Sequence, residues 1–214
     1  MAFHVWADPQ RPQDRPLVLA AEVLQAGGVV VYPTETLYGI GASAWNRQAL
    51  SRVHSLKHRN EQKPFLVVVN SRDAILRLTD EISDDADRLM ERFWPGPLTL
   101  LFRATIEVPP EVTGGTGKIG IRIPSSPLCL RLCELCGHPI TSTSANLSGE
   151  PPLGSPAEIE RALGPAADLY LDCGRLPPSL PSTIVDVSGR ELKVVRIGAL
   201  PLERLREVFP NLSS

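Results

Sequence analysis

Residues 17–32 read LVLAAEVLQAGGVVVY, and the stretch changes period halfway along. Residues 17–26 carry their apolar side chains at helical spacing, Gly27-Gly28 supplies a stop, and VVVY has the apolar run of a buried strand. A helix, a glycine stop and a strand make the first unit, and helices and strands alternate from there along the chain. Beyond the loop PTETLYGIG (33–41), RQALSRVHSLK (47–57) is helix-like and PFLVVV (64–69) is a strand. The acidic stretch 80–91 keeps Ile82, Ala86, Leu89 and Met90 at helical spacing, and Trp94-Pro95-Gly96-Pro97 breaks the chain before LTLLF. KIGIRIP (118–124) alternates like a strand, PLCLRLCELC (127–136) is a short helix ended by Gly137, and PITSTSAN (139–146) runs from a strand into a polar turn. DLYLDCG, STIVDVS and LKVVRI add three strands, and PLERLREVF a last helix-like segment. The Pro-rich stretches 150–156 and 176–182 read as loops bordering a site.

Of the 214 residues, 43% are hydrophobic and 21% charged, which supports a sizeable core and excludes fibrous, disordered and disulfide-stapled classes. Length predicts one domain over 15–214, with 1–14 as an N-terminal extension. A net charge of −2 argues against coating nucleic acid by bulk charge. No apolar run approaches a membrane span and the N-terminus lacks a signal peptide's layout, so the expected location is cytoplasmic, with no membrane partner.

Two motifs imitate nucleotide sites. Gly39-Ile40-Gly41-Ala42-Ser43-Ala44 mimics G-x-G-x-x-A, but its strand ends near Tyr32, too far upstream for a tight dinucleotide turn. Gly117-Lys118 lacks the earlier glycine and the following hydroxyl of a P-loop. Cys129, Cys133 and Cys136, followed by His138, have the spacing of a metal-ligand set. They also define one apolar face of a helix flanked by leucines, and the expectation is a core cluster with no protein-bound zinc or iron–sulfur cluster.

The stronger signals are polar. Arg47, Arg52, Lys57, Arg59 and Lys63 face Glu61 alone in the segment 47–63 of a net-acidic chain. Lys57 and Arg59 fall between a helix and a strand, where an exposed loop suits phosphate binding, and where a solvated helix end is the competing reading. Thr141-Ser142-Thr143-Ser144-Ala145-Asn146 and Pro33-Thr34-Glu35-Thr36-Leu37-Tyr38-Gly39 add hydroxyls, amide, carboxylate and phenol at strand ends, where open α/β sheets place ligands.

PTETLYGIG, Lys57-x-Arg59, WPGPLT, GIRIP and Ser144-Ala145-Asn146 occur in the order found in the YrdC-like family of threonylcarbamoyl-AMP synthases, and the chain resembles that family over roughly 15–200. The resemblance implies an α/β open twisted sheet with helices and a large concave basic face. It also implies an ATP-dependent nucleotidyltransferase that makes threonylcarbamoyl-AMP and pyrophosphate from L-threonine, bicarbonate and ATP, for modification of the tRNA adenosine 3′ of the anticodon. It assigns Lys57 and Arg59 as catalytic and nucleotide-binding, with Ser144 and Asn146 beside the nucleotide and Lys63, Lys118 and Arg196 as further nucleotide contacts. Thr36, Arg122, Ser142 and Ser182 align with the threonine side, and Mg²⁺ would accompany ATP. Expected partners are these small molecules, a downstream threonylcarbamoyl-transfer machinery, and at most weak, transient contact with tRNA. The rival reading is an RNA- or nucleotide-binding module of the same fold without synthase activity.

Overall fold

The structure is a computed structural model that describes residues 3–58, 63–164 and 167–213. In chain order, β1 (Phe3–Trp6) precedes α1 (Asp14–Gln25), β2 (Val30–Pro33), β3 (Tyr38–Gly41), α2 (Arg47–Leu56) and β4 (Leu66–Val68). A 3-10 turn at Asp73–Arg77 leads to α3 (Asp84–Phe93), β5 (Leu98–Arg103), the short α4 (Pro110–Thr113), β6 (Lys118–Arg122) and α5 (Pro127–Cys136). The remaining elements are β7 (Ile140–Thr141), β8 (Thr143–Ser144), α6 (Pro156–Leu163), β9 (Leu169–Asp172), β10 (Thr183–Asp186), β11 (Lys193–Arg196) and α7 (Leu202–Arg206).

The glycine stop behaves as its sequence predicts. Leu17, Ala20, Ala21 and Leu24 form the buried stripe of α1, and the helix ends where Gly27 N–H reaches Leu24 O (3.1 Å) and Gly28 N–H reaches Val23 O (2.8 Å). This closing motif needs the left-handed φ of +83° at Gly27, which glycine adopts without a Cβ clash. The stripe packs on α5, where Leu128, Cys129, Leu132, Cys133 and Cys136 are buried. Full burial of Leu17 and Leu24 contributes roughly 2–3 kcal/mol each, which makes the α1–α5 contact an anchor of this side of the molecule.

The strands form two mixed sheets, ordered β1-β9-β2-β3-β8 and β11-β10-β5-β6-β4-β7. Three features depart from the sequence reading or add to it. Tyr38–Gly41, read there as loop, is strand β3, antiparallel to β2; its glycines are steric, since a Cβ on Gly41 would lie 2.5 Å from Tyr32 Cε1 and one on Gly39 would lie 3.0 Å from Ser142 Oγ. The G-x-G-x-x-A look-alike is thus a close packing of β3 against Tyr32 and Ser142. Pro156–Leu163, of which only the first residue falls in a stretch read as loop, is helix α6, capped by Ser155. Residues 3–6, within the segment set apart as an extension, run parallel to β9 as the edge strand of the first sheet.

The sheets meet along residues 139–144. β7 pairs with β4 in one sheet and β8 with β3 in the other. Thr141 N–H donates to Ala42 O (2.9 Å), and at the crossing Ser142 N–H donates to Leu66 O (2.7 Å). The hydroxyl-rich segment is therefore the seam between the sheets, and its backbone is held from both sides.

Two-residue periodicity turns the second sheet into a core wall on one face and a cavity floor on the other. Leu98, Leu100, Phe102, Ile119 and Ile121 enter the main core. Thr99, Leu101, Lys118, Gly120 and Arg122, alternating with them, line a cavity.

Candidate functional site

The cavity has a volume of about 560 Å³. β5 and β6 of the second sheet supply its floor, the turn between β2 and β3 and the seam supply one wall, and β10 and β11, at the far edge of the second sheet, supply the other side. Every sequence candidate among the described residues lines it: Thr36 from the β2–β3 turn, Lys57 and Lys63 after α2, Lys118 and Arg122 on β6, Ser142, Ser144 and Asn146 on the seam, and Ser182 and Arg196 on the far wall. Arg59 lies outside the described residues.

The cluster of cations in 47–63 divides. Arg47 faces Glu111 at 3.7 Å and Arg52 faces Asp168 at 2.9 Å, both in surface ion pairs, whereas Lys57 and Lys63 turn to the cavity.

Lys57 corrects the expectation of an exposed loop cation. It is only 3% exposed. Its ammonium donates to the backbone oxygens of Ser144 and Asn146 and lies 3.4 Å from Asn146 Oδ1, while its own carbonyl accepts from Ser148 N–H at 3.1 Å. α2 is started by Asn46, whose Oδ1 accepts from Ala49 N–H, and it delivers Lys57 to the seam just past its end. His58 then takes a left-handed φ of +46°, turning the chain away. Lys57 thus clamps the Ser144–Asn146 turn to the end of α2, and the Asn146 amide donates onward to Glu150 O.

Arg122 is the most deeply buried cation of the floor, at 2% exposure. Its Nη1 donates to Thr36 Oγ1 at 3.3 Å, and its Nη2 lies 2.7 Å from Glu35 Oε2 in an ion pair that is not aligned as a hydrogen bond. Nε and Nη2 have no hydrogen-bond partner. Donors left open on a buried guanidinium are costly unless water or a ligand takes them, and an anion is the ligand whose chemistry matches them, which makes Arg122 a candidate anion-binding group.

Arg196, on edge strand β11, donates from Nη2 (2.8 Å) and Nε (3.2 Å) to Ser182 O. Desolvation, with the nearby Arg122 charge, holds its guanidinium below the usual value. Ser182 Oγ shares a 2.8 Å hydrogen bond with Thr99 Oγ1. Thr99 was not among the candidates, although its polar position between Leu98 and Leu100, at the end of WPGPLT, marks it by periodicity. Lys118 pairs with Asp186 at 2.6 Å. Burial raises the Asp186 carboxyl, but the Lys118 and Ser188 hydrogen bonds outweigh it and leave the group below its usual range.

Tyr38 and the clustered cysteines serve the scaffold. Tyr38 OH donates to Gly174 O at 2.7 Å and accepts from Cys173 N–H at 3.0 Å. The thiols of Cys129, Cys133 and Cys136 are buried against α1, and burial pushes Cys136 up to about 12.

The sequence and the fold have relatives of known name. The Sua5/YciO/YrdC family model, described as "Telomere recombination", matches residues 22–198. A threonylcarbamoyl-AMP synthase of Pyrococcus abyssi is 33% identical over 203 residues, covering 95% of this chain and 60% of that protein. One from Marinobacter nauticus is 34% identical over 189 residues, 87% of this chain and 100% of that protein. The crystal structure of P. abyssi Sua5 complexed with L-threonine superposes with a TM-score of 0.92 at 32% identity, covering 99% of this chain and 62% of that one. The chain thus spans about three fifths of the archaeal relative and the full length of the bacterial one. With the match running from α1 to the end of β11, this chain belongs to the Sua5/YciO/YrdC family.

Proposed function

We propose that the chain is an L-threonylcarbamoyladenylate synthase, converting L-threonine, bicarbonate and ATP to threonylcarbamoyl-AMP and pyrophosphate. The observation that carries this reading is Arg122: a buried guanidinium with open donors in a cavity whose other polar lining groups are lysines, an arginine, hydroxyls and an amide. The relatives' names and the threonine complex of P. abyssi Sua5 support it.

In this reading the amine of threonine attacks the bicarbonate carbon and water leaves, giving a carbamate. A carbamate oxygen then attacks the α-phosphorus of ATP, and the bond to the β-phosphate oxygen breaks to release pyrophosphate. Arg122 takes the threonine carboxylate, with the hydroxyls of Thr36, Ser142 and Ser182 around the amino acid. Charge develops on the phosphate oxygens, and Lys63, Lys118 and Arg196 are the cations suited to stabilise it. Ser144 and Asn146 sit beside the nucleotide, and Lys57 holds their turn. Arg59 joins this group by its motif position alone. Magnesium would arrive on the triphosphate as part of the substrate. Of the carboxylates next to these cations, Glu35 already faces Arg122 and Asp186 faces Lys118, so the chain's own contribution to the phosphates is cationic. The product would pass to a machinery that modifies tRNA, to which this chain contributes at most weak contact.

Pyrophosphate release tests the reading. It should require L-threonine, bicarbonate and ATP together; equal release without threonine would contradict it.

A further inference from the structure

Glu35 takes no part in the proposed reaction beyond its charge, yet its environment is unusual. Both carboxylate oxygens are buried and neither has a hydrogen-bond partner. The charge beside it is Arg122, 2.7 Å away. The turn that carries it is fixed from both sides: Thr34 Oγ1 accepts from the backbone N–H of Thr36 (3.2 Å) and Leu37 (3.1 Å), and Thr36 Oγ1 accepts from Arg122. A carboxylate held this way costs desolvation without returning hydrogen bonds, so its effect is on the charge of the site.

The consequence is electrostatic. Arg122 alone would be a buried unit positive charge, attractive to any small anion that shares the cavity with ATP, including bicarbonate, pyrophosphate and free phosphate. With Glu35 beside it the pair is neutral. A lone anion on Arg122 then gives the Glu35–Arg122 pair one excess negative charge, whereas a zwitterion leaves the pair neutral. Arg196, which donates to Ser182 O and lies near enough to feel the Arg122 charge, adds its own positive charge whether or not Glu35 is present, so what Glu35 changes is one unit: it weakens the attraction for any anion and adds an attraction for an ammonium group.

We propose that Glu35 makes the amino-acid end of the cavity selective for a zwitterion, admitting an α-amino acid with a free ammonium group and rejecting carboxylates and other small anions that lack one. This deepens the reading of Arg122 as the carboxylate-binding group and rests on it. Glu35 is a positioning residue in this scheme, acting through the charge and orientation of Arg122.

The test is calorimetric titration of the purified full chain with L-threonine and with 2,3-dihydroxybutyrate, in which a hydroxyl replaces the ammonium. The wild type should bind threonine and prefer it by about a hundredfold, the scale of one charge interaction over several ångströms at partial burial. Glu35→Gln should bind threonine at least about tenfold more weakly and the hydroxy acid no more weakly than the wild type, so that the preference collapses. Glu35→Asp, which keeps the charge, should keep the preference. A merely structural role would weaken both ligands in parallel, and an unchanged ratio in folded Glu35→Gln would overturn the proposal. Should Glu35→Gln fail to fold, loss of the preference in folded Glu35→Asp, or its absence from the wild type, overturns it equally. A wild type that binds no threonine refutes the functional reading itself; threonine binding with an unchanged ratio refutes only the role of Glu35.

Discussion

Lys57, just past the end of α2, donates its ammonium to the backbone oxygen of Ser144 on the seam between the two sheets. The cationic motif Lys57-x-Arg59 and the polar motif Ser144-Ala145-Asn146 are therefore one structural unit. A lysine that looks like a phosphate-binding loop residue is buried and holds the wall against which a nucleotide would lie.

Replacing Lys57 by Ala should lower stability as well as turnover. The change leaves the Ser144 and Asn146 carbonyls without their donor, at about 1–3 kcal/mol for each buried group that water cannot reach. Thermal unfolding should show a fall in Tm of several degrees, since about 1 kcal/mol shifts a protein of this size by roughly 2–4 °C. An unchanged Tm would mean that the clamp contributes nothing.

Gly41→Ala should destabilise by about 1–3 kcal/mol or more, the range for overpacking a well-filled core. The added methyl meets Tyr32 Cε1 at 2.5 Å and Ile140 Cγ2 at 2.8 Å, both on packed side chains. A denaturant titration with an unshifted midpoint would contradict the steric account of this glycine.

Arg122→Ala should cost about 3–5 kcal/mol, because it leaves the Glu35 carboxylate buried without its counter-charge. Removing Glu35 as well should recover part of that loss, so a double-mutant cycle over the two positions should be strongly non-additive. Additive losses in urea unfolding would show that the pair is not coupled.

The lowered carboxyl of Asp186 gives a pH dependence of defined sign. A group whose folded pKa is depressed contributes stability above its unfolded value of about 3.9, and that contribution is lost as pH falls through the folded value. Asp186→Asn should therefore be less stable than the wild type at neutral pH, with the gap closing below about pH 4. A gap that persists unchanged in acid would assign the effect to packing.

Much of the fold was legible in the sequence, for physical reasons that also explain what was not. α1, α5, β5 and β6 carry clear periods because each buries one face, and the alternation in KIGIRIP separates core from floor at Ile119 and Ile121 against Gly120 and Arg122. β3 was hidden because its glycines carry no side-chain period, and the reason for them, Tyr32, lies on the neighbouring strand. α6 lay just past a proline-rich stretch and buries only Pro156 and Ile159. The burial of Lys57 and the Glu35–Arg122 pair depend on contacts between distant segments, which no local pattern encodes. The candidate residues could be gathered by motif; whether each touches a ligand or holds another in place could not.

Mass spectrometry of the product formed from ATP, L-threonine and ¹³C-bicarbonate tests the central claim most directly. The account predicts an adenylate with the mass of threonylcarbamoyl-AMP carrying one ¹³C, absent when threonine or bicarbonate is withheld. Recovery of unchanged ATP, or of nucleotide products formed equally well without threonine, would contradict it.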